Sequence, residues 1–131
     1  VKSPNNIFIL SGFLEIVQQG KKDDEAEKAL LKALELRPEE SKPREILADI
    51  NFEKAKILIQ KNKMDEALER LKQSYNFRAD HAYVNFLLGY LYHDKEMKEE
   101  AIKHFEAFLQ LAPNAPQVKD VKKLLESLKK D

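Results

Sequence analysis

The sequence contains no cysteine, no tryptophan and no threonine, and only three glycines among 131 residues. Without cysteine there is no disulfide framework, no thiolate nucleophile and no zinc–thiolate site. That absence leaves the compartment open between cytoplasm and an exported setting. Scarce glycine and missing threonine argue against sheets and hairpins, which draw on β-branched and turn-forming residues. Long hydrophobic runs are also missing. The longest are Ile7–Leu14 and Tyr83–Tyr92, the second interrupted by Asn85, and neither approaches the ~20 apolar residues of a membrane span. Ile7–Leu14 follows Lys2 in the manner of a weak signal-peptide core, but Glu15 follows directly and no small-residue cleavage site appears. A structural helix is therefore expected there. Val1 at the start fits a mature form or a fragment.

A surplus of either charge is lacking too: 23 Lys and Arg balance 23 Asp and Glu. The signs interleave, as in Lys21-Lys22-Asp23-Asp24-Glu25 and Lys95-Glu96-Met97-Lys98-Glu99-Glu100. Nucleic-acid binding is not expected, because phosphate neutralisation needs a gathered basic stripe. The charge runs read as solvated helix faces. Catalytic constellations are likewise missing. Gly12, Gly20 and Gly89 make no phosphate loop, and the serines have no base in a recognisable order. His81, His93 and His104 fall at a turn, late in one helix and inside another. Glu100 and His104, four apart, are too few to hold a metal and read as a surface pair. No enzyme activity, metal or cofactor is expected.

What remains is 43% hydrophobic and 35% charged, rich in Ala, Leu, Glu and Lys, which predicts an all-α domain. The chain also repeats itself. Asp24-Glu25-Ala26, Asp65-Glu66-Ala67 and Glu99-Glu100-Ala101 are each followed by a large apolar residue four positions on: Leu30, Leu71 and Phe105. Ala33, Ser74 and Phe108 come next, then Pro38, Ala79 and Pro113. Twelve residues before Ala67 and Ala101 stand Ala55 and Gly89, small residues that let antiparallel helices approach closely. Leu58 and Tyr92 follow three positions later. The second and third copies lie 34 residues apart and the first two 41.

This pattern resembles the tetratricopeptide repeat, a 34-residue helix–turn–helix unit. Leu88-Gly89, Tyr92, Ala101, Phe105 and Pro113 all fall where that family expects them. The second copy departs from it at Lys54 and Ala79, and no copy has the frequent Trp. The resemblance implies a right-handed α-solenoid of three units, at about 7–40, 48–81 and 82–115, forming one domain. Seven extra residues, 41–47, predict that the first helix of unit two starts near Ser41–Pro43 and runs to about Lys61, Pro43 being tolerated in a first turn. Val118, Val121, Leu125 and Leu128 recur at helical spacing and predict a capping helix over about 116–130.

In such proteins the first helix of each unit lines a concave groove. Carried over by register, the groove residues are Asp49, Phe52, Lys56, Ile59 and Gln60 in unit two. In unit three they are Tyr83, Phe86, Tyr90, His93 and Asp94. Residues 83, 86, 90 and 93 share one stripe by helical geometry alone. A second stripe, Val84, Leu87, Leu88 and Leu91, already supplies a packing face, so the helix is apolar nearly all round. The surplus aromatics point to a protein or peptide partner gripped by Phe52, Tyr83, Phe86 and Tyr90. Burial of these rings under a neighbouring helix is the alternative. Chaperone-tail binding is not expected, because Ser11, Glu15, Glu53, Tyr83 and Leu87 stand where a carboxylate clamp would need Lys, Asn and Arg. The expected function is a non-catalytic adaptor or scaffold module. The second reading is a self-associating or structural segment of a longer repeat protein, with Ile46 and Leu47 as candidate contacts.

Overall fold

The structure, a computed structural model, describes residues 22–130. They form six helices joined by short turns, with no strand among the described residues. Helix α1 covers residues 22–36. It is followed by α2 (Ser41–Gln60), α3 (Met64–Phe77), α4 (Ala82–Asp94), α5 (Lys98–Leu111) and α6 (Val118–Lys129). The first helix expected for unit one, with Ser11, Gly12 and Glu15, lies outside the described residues. None of these helices is long and apolar enough to cross a membrane.

The chain divides into two compact units, Val1–Pro43 and Arg44–Asp131. In the first, α1 half-buries Ala26, Leu30, Ala33 and Leu34 and leaves Leu36 81% exposed. Pro38 stops it, since the residue before a proline is forced out of the helical region. Arg37 N–H closes the last turn on the Ala33 carbonyl at 2.9 Å, and its guanidinium meets Glu40 at 3.1 Å.

In the second unit, α2–α3 and α4–α5 are built alike. Both first helices end on a residue in the left-handed region, Asn62 at φ 59 and Glu96 at φ 60. In the first turn, Lys63 N–H reaches the Leu58 carbonyl (2.8 Å) and Asn62 N–H the Ile59 carbonyl (2.9 Å). Met97 N–H to Tyr92 (2.9 Å) and Glu96 N–H to His93 (3.0 Å) repeat this pairing in the second turn. This is a Schellman ending, which satisfies carbonyls that a helix terminus leaves open. It turns the chain back within three residues, so the paired helices must run antiparallel.

The pairs then close on their small residues. A Cβ added at Gly89 would lie 2.5 Å from Cδ1 of Phe105, so the Phe105 ring occupies the space a side chain there would need. Ala55 and Leu71 hold the places in α2 and α3 that Gly89 and Phe105 hold 34 residues on, and both are fully buried. The core continues through Leu68, Val84, Leu88, Leu91, Tyr92, Ala101 and Phe108 to Val121 and Leu125 of α6. Lys122, Lys123 and Glu126 on the opposite side of α6 are exposed, and Lys129 pairs with Glu106 of α5 at 3.1 Å.

Buried polar groups follow the same period. Asn51 and Asn85 are 1% and 0% exposed. Each donates through its amide nitrogen to a carbonyl four residues back, Leu47 and His81 respectively, at 2.9 Å. Each oxygen then meets a side chain 19 residues on: Arg70 Nη1 at 3.0 Å for Asn51, His104 Nδ1 at 2.8 Å for Asn85. The Asn85 nitrogen also donates to the Ala79 carbonyl at 2.9 Å, so both its hydrogens are used. Its oxygen can only accept, which fixes the proton of neutral His104 on Nδ1. Ser74 adds a 2.7 Å bond from its hydroxyl to the Ala48 carbonyl. The reading of His104 as a surface partner of Glu100 is thus corrected. The imidazole is 5% exposed, stacked on Tyr92 at 5.6 Å and edge-on to Tyr75 at 4.9 Å. Its helix position faces inward, between the two pairs.

Burial first, and then the Lys103 charge, pull the His104 pKa down to about 4, against a smaller upward pull from Glu100. Between that value and the ordinary 6.5 the folded chain holds fewer protons than the unfolded one. Stability is therefore complete above about pH 6.5 and falls as pH drops toward 4. Chemical denaturation at pH 7 and pH 4.5 should show a loss on the order of 2 kcal/mol in excess of that in His104→Gln, which keeps a donor for Asn85 but does not titrate. Separately, Gly89→Ala should cost about 2 kcal/mol by overpacking against Phe105, read as a lower denaturation midpoint.

Candidate functional site

Helix α4 is apolar nearly all round because it packs on two sides. Val84, Leu88, Leu91 and Tyr92 are buried against the neighbouring helices. The third stripe, Tyr83, Phe86 and Tyr90, lies over α5 instead. Phe86 sits 5.0 Å from Phe108, Tyr90 5.2 Å from Phe105, and Tyr83 6.0 Å from Phe108, measured between ring centroids. Within the stripe, Tyr83 and Phe86 are 6.3 Å apart and Phe86 and Tyr90 4.9 Å, both edge-on. The three rings thus form a layer on two fully buried phenylalanines. Tyr83 is 39% exposed, while Phe86 and Tyr90 are half-buried. Each ring is thus packed against α5 and partly open to solvent.

Helix α2 contributes a second aromatic contact. Phe52 is half-buried, with its ring 4.6 Å from that of His81. The Lys56 ammonium stands 4.8 Å over the Phe52 ring and 3.0 Å from the Glu53 carboxylate. His81 caps α4, its Nδ1 accepting from the Val84 N–H at 3.2 Å, so the neutral ring carries its proton on Nε2. Burial, and then the Arg78 charge, lower the His81 pKa, opposed by the Asp49 and Asp80 carboxylates. Asp49 is itself exposed. Phe52 and His81 thus form one aromatic pair and Tyr83, Phe86 and Tyr90 a second group on α4; the two together are the strip.

The remaining groove residues fall elsewhere. Ile59 packs against the core. His93 and Asp94 lie at the far end of α4, 3.9 Å apart, where with Glu96, Lys98 and Leu128 they line a shallow depression of ≈ 500 Å³. No cluster of three metal-ligating side chains occurs among the described residues. Two members of the strip's surroundings were not legible by motif. His81 looked like a turn residue because its capping bond depends on how the turn 78–81 closes. Asp120 of α6 had a signal in the sequence: Phe52, Phe86 and Asp120 are spaced by 34. Burial, and then the Asp120 carboxylate, raise the Tyr90 phenol above its ordinary pKa.

Antiparallel helix pairs of 34-residue period, closed at a Gly–Phe contact and flanked by an aromatic strip, define a helical-repeat protein. The family model for the tetratricopeptide repeat matches residues 82–115, so α4–α5 is such a repeat. The chain is similar to anaphase-promoting complex subunit 3 of Schizosaccharomyces pombe, 36% identical over 77 residues, covering 59% of this chain and 11% of that protein. It is also similar to human Protein O-mannosyl-transferase TMTC1, 29% identical over 107 residues, covering 82% of this chain and 12% of that protein. The chain therefore spans only 11–12% of the length of these relatives.

The packing of Phe86 sets its energetics between a free surface ring and a core residue. Phe86→Ala should cost about 1–2 kcal/mol of stability, less than the ~3–5 kcal/mol of a fully buried phenylalanine. Urea denaturation of the variant measures it.

Proposed function

We propose that the helical repeats of this chain serve as a non-catalytic module that binds a protein or peptide along the strip Phe52–His81–Tyr83–Phe86–Tyr90. The observation that supports this most is the aromatic layer on α4: partly open rings held rigidly on the buried Phe105 and Phe108. Tyrosine and phenylalanine so placed lose little freedom on binding, and such anchors supply most of the energy of an interface. Lys56 and Asp49 flank the strip at α2, and His93 and Asp94 add polar contacts at the far end of α4. The family's use of helical repeats for protein recognition agrees with this. One relative is by its name a subunit of a complex; the other is by its name a transferase, and the short match gives no ground for carrying transfer chemistry over. The carboxylate-clamp mode has no support, since Glu53 is engaged with Lys56 and Leu87 packs against the core.

A second reading, a self-associating segment of a longer repeat protein, loses Leu47 as a contact because it is fully buried, but keeps Ile46, 38% exposed, and gains Ile57 and Leu111, 49% and 41% exposed. Light scattering across concentrations separates the two: a dimer that persists in a Tyr83→Ala/Phe86→Ala variant supports association through other surfaces. For the groove, partners captured by the wild-type chain and lost by that variant should, once purified, bind the variant about 2 kcal/mol more weakly by titration. Equal affinity would sink the groove reading.

A further inference from the structure

The charges around the strip select among partners. Two cationic side chains act on the strip, and each is held by a carboxylate: Lys56 stands over Phe52 with Glu53 at 3.0 Å, and Arg78, whose charge reaches His81, meets Asp80 at 2.9 Å. The two carboxylates that flank the rings are differently placed. Asp49 lies at the α2 end, close enough to His81 to act on its charge, is exposed, and forms no salt bridge with a described residue. Asp120, on α6 at the register position 34 residues beyond Phe86, is close enough to Tyr90 to act on its charge, is also exposed, and likewise forms none. By register the first helices present Asp49, Tyr83 and Gln117 at one level and Phe52, Phe86 and Asp120 at the next, each spaced by 34. The whole chain is neutral, so this local imbalance is not a by-product of an acidic protein.

We propose that the strip takes a peptide segment that is both apolar and cationic: large aliphatic or aromatic side chains set on the α4 rings, with Lys or Arg reaching Asp49 on one side and Asp120 on the other. A neutral apolar segment would leave both carboxylates without a partner as it shields them from water, and an acidic one would be repelled at both ends. The tyrosine ring faces favour the same charge, since a cation is attracted to the negative face of an aromatic ring. This inference rests on the groove reading above and adds the chemistry of the occupant.

The test is a selection of random dodecapeptides displayed on phage against the 131-residue chain, with the Tyr83→Ala/Phe86→Ala variant as counter-target. Enrichment of sequences combining Leu, Ile or Phe with Lys or Arg is expected. Synthetic versions should bind roughly fivefold more weakly to Asp49→Asn/Asp120→Asn, and the difference should shrink in 0.5 M salt as screening removes it. Peptides that are lost on the alanine variant but carry no basic bias, or an acidic one, would overturn the charge inference and leave the groove standing. Equal enrichment on both targets would overturn the groove reading and this inference together. Basic peptides whose affinity ignores both the asparagine variant and salt would also overturn the inference.

Discussion

The contact between Gly89 and Phe105 governs the second compact unit. Because no Cβ stands at position 89, α4 comes close enough for the Phe105 ring to fill the space where one would be. That approach buries Phe105 and, one turn further along α5, Phe108. Both rings then offer an edge or face to the outer stripe of α4, and Tyr83, Phe86 and Tyr90 rest on them. The strip is rigid because its floor is core. A larger residue at position 89 would push α4 outward and loosen the floor before it touched the strip itself.

The polar interior sets direction where the apolar interior sets distance. Hydrophobic burial is nondirectional, so it cannot by itself fix how far one helix slides along another. Two buried asparagines do so here, each tied to the preceding turn and to a side chain 19 residues on. They occupy equivalent places in the two pairs, 34 residues apart. An amide there leaves room for, and must have, a donor from the second helix; an unpaired buried amide costs about 1–3 kcal/mol. Arg70 and His104 supply that donor in the two pairs. Burial keeps His104 neutral at ordinary pH, which suits its place between two tyrosine rings.

Much of this was legible in the sequence. The 34-residue period, the small residues at 55 and 89 and the helix-forming composition point to antiparallel pairs without any coordinates. The long α2 follows from the seven residues between copies and from Pro43, which a first turn accepts. Asn85 reads in one dimension as a flaw in an apolar run, and His104 as a surface residue near Glu100. Their pairing is invisible until α4 and α5 are packed, although the matching intervals Asn51–Arg70 and Asn85–His104 were present as a pattern.

The sequence by itself determined which residues share a helix face, because 3.6 residues per turn converts spacing into direction. It therefore determined that Tyr83, Phe86 and Tyr90 form one stripe and that Phe52 has their register. Only the tertiary structure decided what lies beneath and beside that stripe. Burial depends on neighbours from other helices, so Phe86 packs on Phe108, Phe52 meets the capping His81, and the Asp120 charge acts on Tyr90. Periodicity is a property of one helix; the floor of a groove and the charge at its edges belong to several.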